Sequence, residues 1–143
     1  DTYNRILWFC EDLAKSQVSK GLAHTMSIDK KPAKAFLNRL QRKAQKDKVG
    51  MWAKGTPNYI LTSAHSIKEK RGAKKAYDRL VSTVDGHSNV QTHKNVYYDC
   101  QTVCYQKSLS KGVVVKSEYS ADTCLLYVDY KNRYGKSRAK CLK

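Results

Sequence analysis

The chain has 143 residues, with 28 Lys+Arg against 12 Asp+Glu and a formal net charge of +16. Hydrophobic residues make up 41%, enough for a core, which excludes wholesale disorder. The longest apolar run, residues 6–10, falls far short of the roughly 20 residues of a membrane-spanning helix. In chain order, Ile6-Leu7-Trp8-Phe9-Cys10 predicts a strand buried on both faces, with Cys10 as a buried thiol rather than an interchain bridge. Asp12 suits an N-cap, Leu13 to Lys20 reads as a short helix, and Gly21 sits where a left-handed C-cap belongs. Leu22 to Ile28 reads as a short strand. Pro32 suits a first helical position, and Ala33, Phe36, Leu37, Leu40 and Ala44 form an apolar stripe at helical steps. Lys34, Arg39, Arg42, Lys43, Lys46 and Lys48 cover the other faces, either as a solvated helix face or as a contact surface. Gly50 lies near the end, and Met51 and Trp52 are placed to fold back as an apolar anchor.

Gly55-Thr56-Pro57-Asn58 is a loop signal and marks a boundary between residues 1–55 and 56–143. Beyond it, residues 68–72 read as an exposed turn and Ala73 to Val81 as a short helix. Asp85-Gly86 is a turn that could join two strands, and Val96–Tyr98, Gly112–Val115 and Cys124–Tyr130 are β-rich runs. No internal repeat or low-complexity tract is visible.

Residues 1–55 hold 12 basic and 5 acidic residues, and residues 56–143 hold 16 and 7, so no single basic tail carries the charge. A generic cationic surface is one reading. Nucleic acid is the favoured partner, because 10 Tyr and 2 Trp are available for stacking. In the tail, Tyr127, Tyr130 and Tyr134 alternate with Lys131, Arg133, Lys136, Arg138 and Lys140. That interleaving fits a nucleic-acid face, with Lys131 and Arg133 as contacts. It fits equally a hairpin with one buried tyrosine face and one solvated basic face.

Cys100, Cys104, Cys124 and Cys141 form an even set. In an exported protein they imply two disulfides, with three pairings open, stapling a region too small for a large core. A zinc site built from these thiolates with His87 or His93 is the rival, although Cys-x3-Cys is not a zinc signature. No catalytic role is expected of His24, His65, His87 or His93, since no nucleophile elbow or H-E-x-x-H motif accompanies them. The chain opens at Asp1 with neither an initiator Met nor a signal peptide, so it reads as processed, truncated or engineered. A secreted or periplasmic location is expected.

Three segments taken together resemble the C-terminal half of the thermonuclease, or staphylococcal nuclease-like, family. Asp1-Thr2-Tyr3-Asn4-Arg5 before an apolar run is similar to its D-x-Y-G-R motif. Lys20-Gly21-Leu22-Ala23 is similar to its helix-ending G-L-A, and Ala44 to Trp52 to its closing A-x5-G-[IL]-W. The resemblance implies an OB barrel carrying helices and a calcium-dependent phosphodiesterase acting on DNA and RNA. In such chemistry carboxylates hold the cation, a Glu positions water and two arginines bind the phosphoryl oxygens. It implies that Arg5 is the second of those arginines, and that Tyr3 and Lys20 lie near bound nucleic acid. Asn4 replaces the motif glycine, which asparagine can do in a left-handed turn. Ser27 and Asp29 stand where two nucleotide-flanking tyrosines would be, so that role does not transfer.

The family's calcium ligands, catalytic Glu and first Arg belong to its N-terminal strands, which residues 1–55 do not include. The expected fold is therefore α+β, a partial OB-fold followed by a small disulfide-stabilised, β-rich extension. The N-terminal half, or a complementary chain, is expected to complete the barrel and supply the calcium site. Residues 55–66 resemble cysteine-bearing extensions that follow bacterial thermonuclease-like domains. The expected function is metal-dependent hydrolysis of DNA or RNA, with this chain as the C-terminal portion. The alternative is a non-catalytic module binding nucleic acid or protein, as part of an envelope or extracellular assembly.

Overall fold

The structure is a computed structural model and describes residues 4, 6, 8–69, 76–104, 124–134 and 138–143. Among these, two helices are followed by five strands in two sheets, a mixed α+β arrangement with no closed barrel. No helix of the described residues is long and apolar enough to cross a membrane.

Helix α1 spans Glu11–Ser19. Glu11 and Asp12 place negative charge at its amino end, and Glu11 pairs with Lys15 at 2.6 Å one turn on. It ends as expected at Gly21, whose φ is +63°. The Gly21 N–H donates to the Val18 carbonyl at 3.1 Å and the Leu22 N–H to the Gln17 carbonyl at 2.9 Å, closing the last turn.

Helix α2 spans Ala35–Lys46, starting later than Pro32. Leu37 and Ala44 of the expected stripe are buried, whereas Phe36 and Leu40 are half-buried. Asn38 and Gln41 complete the buried face at 5% and 0% exposure. Gly50–Trp52 then form a 3-10 turn that folds Trp52 into the interior as expected, whereas Met51, the other half of the expected anchor, stays exposed.

Two expected strands do not form. Residues 8–10 and 22–28 are irregular, and Ile6, Trp8, Leu22 and Ile28 are all at least 70% exposed. A strand needs a ladder of backbone partners, and among the described residues 22–28 find only scattered ones, such as Gln41 for the Thr25 N–H and the Gly86 carbonyl for the Ser27 N–H. Cys10 is correspondingly exposed rather than buried.

Strands β1 (Tyr59–Ala64), β2 (Ala76–Ser82) and β3 (Ser88–His93) make an antiparallel sheet in that order. Leu61 faces Leu80 across β1 and β2, with a bulge between Leu61 and Ser63. Residues 76–81, expected within a helix, are strand because both neighbours pair with them, which overrides local propensity. Asp85-Gly86 lies in the β2–β3 connection as expected. Strands β4 (Gln101–Cys104) and β5 (Cys124–Tyr127) form a second antiparallel pair. Val96–Tyr98 is not strand. Residues 112–115 lie outside the described residues. One core unites the sheets: Leu61, Ala64, Leu80, Val103 and Tyr127, flanked by Tyr59, Tyr97 and Leu125.

The buried amides of α2 explain how the N-terminal segment meets this sheet. Gln41 Nε2 donates to the Thr83 carbonyl at 2.7 Å, and Asn38 Nδ2 to the Asp85 carbonyl at 2.9 Å. Their side-chain oxygens accept from the Thr25 N–H and hydroxyl at 2.7 and 2.8 Å. The loop before α2 adds backbone bonds: Ser27 N–H to the Gly86 carbonyl at 2.7 Å and Ser88 N–H to the Asp29 carbonyl at 2.9 Å. The β2–β3 connection is thus seated in a cradle of satisfied polar groups.

Candidate nucleic-acid interface

The arginine and tyrosine expected to lie nearest a scissile phosphate, Arg5 and Tyr3, fall outside the described residues. Asn4 between them is described, and its φ of +56° is the left-handed conformation anticipated for the glycine replacement. Lys20 is exposed at the C-cap of α1. On α2, Arg39, Arg42, Lys43 and Lys46 are exposed, and Lys43 pairs with Asp47 at 2.6 Å. Lys34, just before the helix, rests its ammonium 3.5 Å from the centroid of the Phe9 ring.

Ser27 and Asp29 have a structural task. Ser27 Oγ donates to Asp29 Oδ1 at 2.8 Å, and Lys31 N–H donates to the same oxygen at 2.9 Å. These bonds, Ser27 first, hold the Asp29 carboxyl below its usual range.

The tail divides between the two arrangements left open above. Tyr127 is buried in the core, while Tyr130 and Tyr134 are exposed with ring centroids 6.3 Å apart, edge to face. Lys131 is exposed beside them on a 3-10 turn, Tyr130–Asn132, whose cap is the Asp129 side chain. Arg133 is half-buried, and its Nε donates to the Val128 carbonyl at 2.8 Å.

The four C-terminal cysteines form two disulfides, Cys100–Cys141 and Cys104–Cys124. Cys104 and Cys124 are directly opposed in the β4–β5 ladder. With all four sulfurs bonded to each other, the zinc alternative loses its thiolates. His87 Nδ1 instead lies 2.6 Å from Asp85 Oδ1, and His93 Nε2 lies 2.9 Å from Asp78 Oδ1. Two disulfides are compatible with an oxidising compartment.

Calcium does not fit the described residues. They contain no group of three or more side chains able to hold a metal ion. Their half-buried carboxylates Glu69 and Asp78 are committed elsewhere: Glu69 to His65 and Tyr127, Asp78 to His93 and Tyr97.

Sequence reasoning did not single out those two acids. Glu69 accepts from His65 Nδ1 at 3.0 Å, from the Tyr127 hydroxyl at 2.7 Å and from the Ser66 N–H at 3.3 Å. The His65/Glu69 spacing of four residues was the one local signal. Burial pushes the Glu69 carboxyl up, but these three hydrogen bonds outweigh it and the group sits below its usual range. Burial, reinforced by the bond to Asp78, pushes the Tyr97 phenol up to about 12. Tyr127 is raised likewise, by burial and then by Glu69.

A lowered Glu69 stabilises the fold above the ordinary carboxyl pKa, and that contribution is lost as pH falls through the lowered folded value. Thermal melts between about pH 6 and pH 3 are therefore expected to show an acid limb that Glu69→Gln flattens. The raised tyrosines have the opposite sense. Their contribution is complete below pH 10 and declines as pH rises toward 12. An unchanged acid limb in the variant would remove Glu69 from this role.

Comparison with curated proteins and with solved structures finds no match. The family model described as staphylococcal nuclease homologue matches residues 1–54. That span holds all three motifs, the Gly21 helix stop, the Gly50–Trp52 turn and the basic face of α2, so residues 1–54 are a staphylococcal nuclease-like segment.

Proposed function

We propose that this chain is the nucleic-acid-binding, C-terminal part of a metal-dependent phosphodiesterase. The observation that carries the reading is the nuclease-homologue match over residues 1–54, which includes Arg5 in its D-x-Y-x-R setting. The exposed cations of α2 support it, because clustered Arg and Lys on one helix suit a phosphate backbone. On this reading Arg5 donates two hydrogen bonds to the phosphoryl oxygens as charge builds on them. Tyr3 and Lys20 flank the strand, and Lys131 and Arg133 extend the contact along it. The exposed apolar side chains Ile6, Trp8, Phe9 and Ile28 pack against complementary barrel strands, and the calcium ligands come with those strands. The protein acts in a secreted or periplasmic setting, where its disulfides persist.

The test is cleavage of single-stranded DNA and RNA with calcium, with and without EDTA, by the protein joined to the strands that complete the barrel. Cleavage should vanish with EDTA and fall about a hundredfold or more in Arg5→Ala, the scale of losing one transition-state donor. Absence of metal-dependent cleavage would defeat the enzymatic reading. A binding module without catalysis is the second reading, favoured by one observation: Ser27 and Asp29, standing where nucleotide-flanking tyrosines would be, bond to each other instead. Under either reading Arg39→Gln with Arg42→Gln should weaken oligonucleotide binding and flatten its salt dependence. Affinity indifferent to salt would instead indicate a protein partner.

A further inference from the structure

Outside the nuclease-like segment, the extension contains a cleft of about 400 Å³ between the end of β1, β5 and the C-terminal turns. His65, Arg133 and Tyr134 all line it, with Leu125, Leu126 and Leu142 as apolar wall. The geometry points to a nucleotide subsite here, with Arg133 and His65 as phosphate donors and Tyr134 with the leucines as the surface for base and sugar.

Each component is prepared for that task. His65 is only 9% exposed, so its orientation is imposed by its surroundings. Its Nδ1 faces the Glu69 carboxylate at 3.0 Å, and its ring lies 4.4 Å from that of Tyr77. The carboxylate can only accept, so Nδ1 carries one hydrogen, and Nε2 donates to a phosphate oxygen when the ring carries its second hydrogen as an imidazolium paired with Glu69. No described residue hydrogen-bonds that Nε2. Glu69 is itself held from three sides, so the dyad is rigid. Arg133 is fixed through Nε by the Val128 carbonyl at 2.8 Å. Its two terminal nitrogens make no hydrogen bond among the described residues, and together they present the planar fork that matches two phosphate oxygens. Tyr134 is 70% exposed and braced edge-on by Tyr130, leaving aromatic surface for stacking. One fixed guanidinium, one oriented imidazole, an aromatic ring and an apolar wall in one concavity match a nucleoside phosphate in both polarity and shape. A bare inorganic anion would leave the ring and the leucines unused.

This inference rests on reading the chain as a nucleic-acid protein, and it adds a second binding site remote in sequence from residues 1–54. The test is isothermal titration of the intact, oxidised protein with adenosine 5′-monophosphate, and with adenosine alone. Saturable one-to-one binding of the monophosphate is expected, with adenosine weaker. Arg133→Lys keeps the charge but loses the fork, and should weaken monophosphate binding about tenfold. Tyr134→Ala should weaken both ligands, and His65→Gln only the monophosphate. Because His65 is packed inside, its variant counts only where its melting curve matches the parent; Arg133 and Tyr134, nearer the surface, keep the test decisive. No saturable binding, or Arg133→Lys indistinguishable from the parent, overturns the subsite. If the monophosphate does not bind while a single-stranded oligonucleotide still binds and weakens in Arg39→Gln with Arg42→Gln, the subsite fails and the broader reading stands. If no oligonucleotide binds the parent protein, both fail.

Discussion

Gly50→Ala is expected to lower folding stability by about 3 kcal/mol or more, and Gly21→Ala by a similar amount. The two glycines touch where α1 ends and the turn after α2 begins. Their φ values are +63° and +59°, so any Cβ already meets left-handed backbone strain. A Cβ on Gly21 would lie 2.3 Å from the Val49 carbonyl oxygen, and one on Gly50 would lie 2.4 Å from the Gly21 carbonyl oxygen. Those are main-chain atoms of the opposing segment, so relief requires the segments to separate. Separation would break the Met51 N–H bond to the Gly21 carbonyl, 2.9 Å, and unseat Trp52 beside it. Gly55 supplies the control. Its φ is +122°, yet a Cβ there meets nothing within 4 Å, so Gly55→Ala carries backbone strain without the clash. Urea denaturation of the three variants decides the matter. Equal losses at all three positions would mean that the close approach contributes nothing.

Opening the disulfides is the second large effect. Cys100–Cys141 ties residues 41 apart and Cys104–Cys124 residues 20 apart. Loop-closure entropy assigns them roughly 4 and 3 kcal/mol respectively. Cys100→Ser with Cys141→Ser should therefore lower Tm markedly. It should also free the C-terminal turn Lys140–Leu142, which contributes Leu142 to the wall of the nucleotide cleft. The Cys104–Cys124 pair should cost less, because the β4–β5 ladder holds the same residues in register. Alkylation of the unreduced protein should label one thiol, Cys10, and alkylation after reduction all five. Extra labelling without reductant would contradict the assigned pairing, as would a stability indifferent to reductant.

Helix α1, its glycine stop, the amphipathic run of α2 and the inward return of Trp52 were legible because each follows from near neighbours. Spacing, capping and left-handed glycine are local properties. The Asp85-Gly86 turn was legible for the same reason. Two kinds of feature were not. Residues 73–81 carry helix-favouring Ala and Lys, yet 76–82 are strand because β1 and β3 flank them. Asn38 and Gln41 look like solvent-facing polar residues of a helix, and only the carbonyls of Thr83 and Asp85, more than forty residues away, make their burial favourable. The apolar run 6–10 met the opposite fate. Its composition asks for a two-sided burial that the described residues do not provide.

Composition and motif thus determined, without coordinates, that the chain is cationic, bears a nuclease-like segment and carries an even set of C-terminal cysteines. Charge, local spacing and count are properties of the string itself. The tertiary structure decided which cysteines pair, which tyrosine of the tail is core and which two are surface, and that His65, held by Glu69, shares a cleft with Arg133. Those are statements about separations in space between residues distant in sequence. They depend on how β1, β5 and the final turns converge, a long-range outcome that no local pattern encodes.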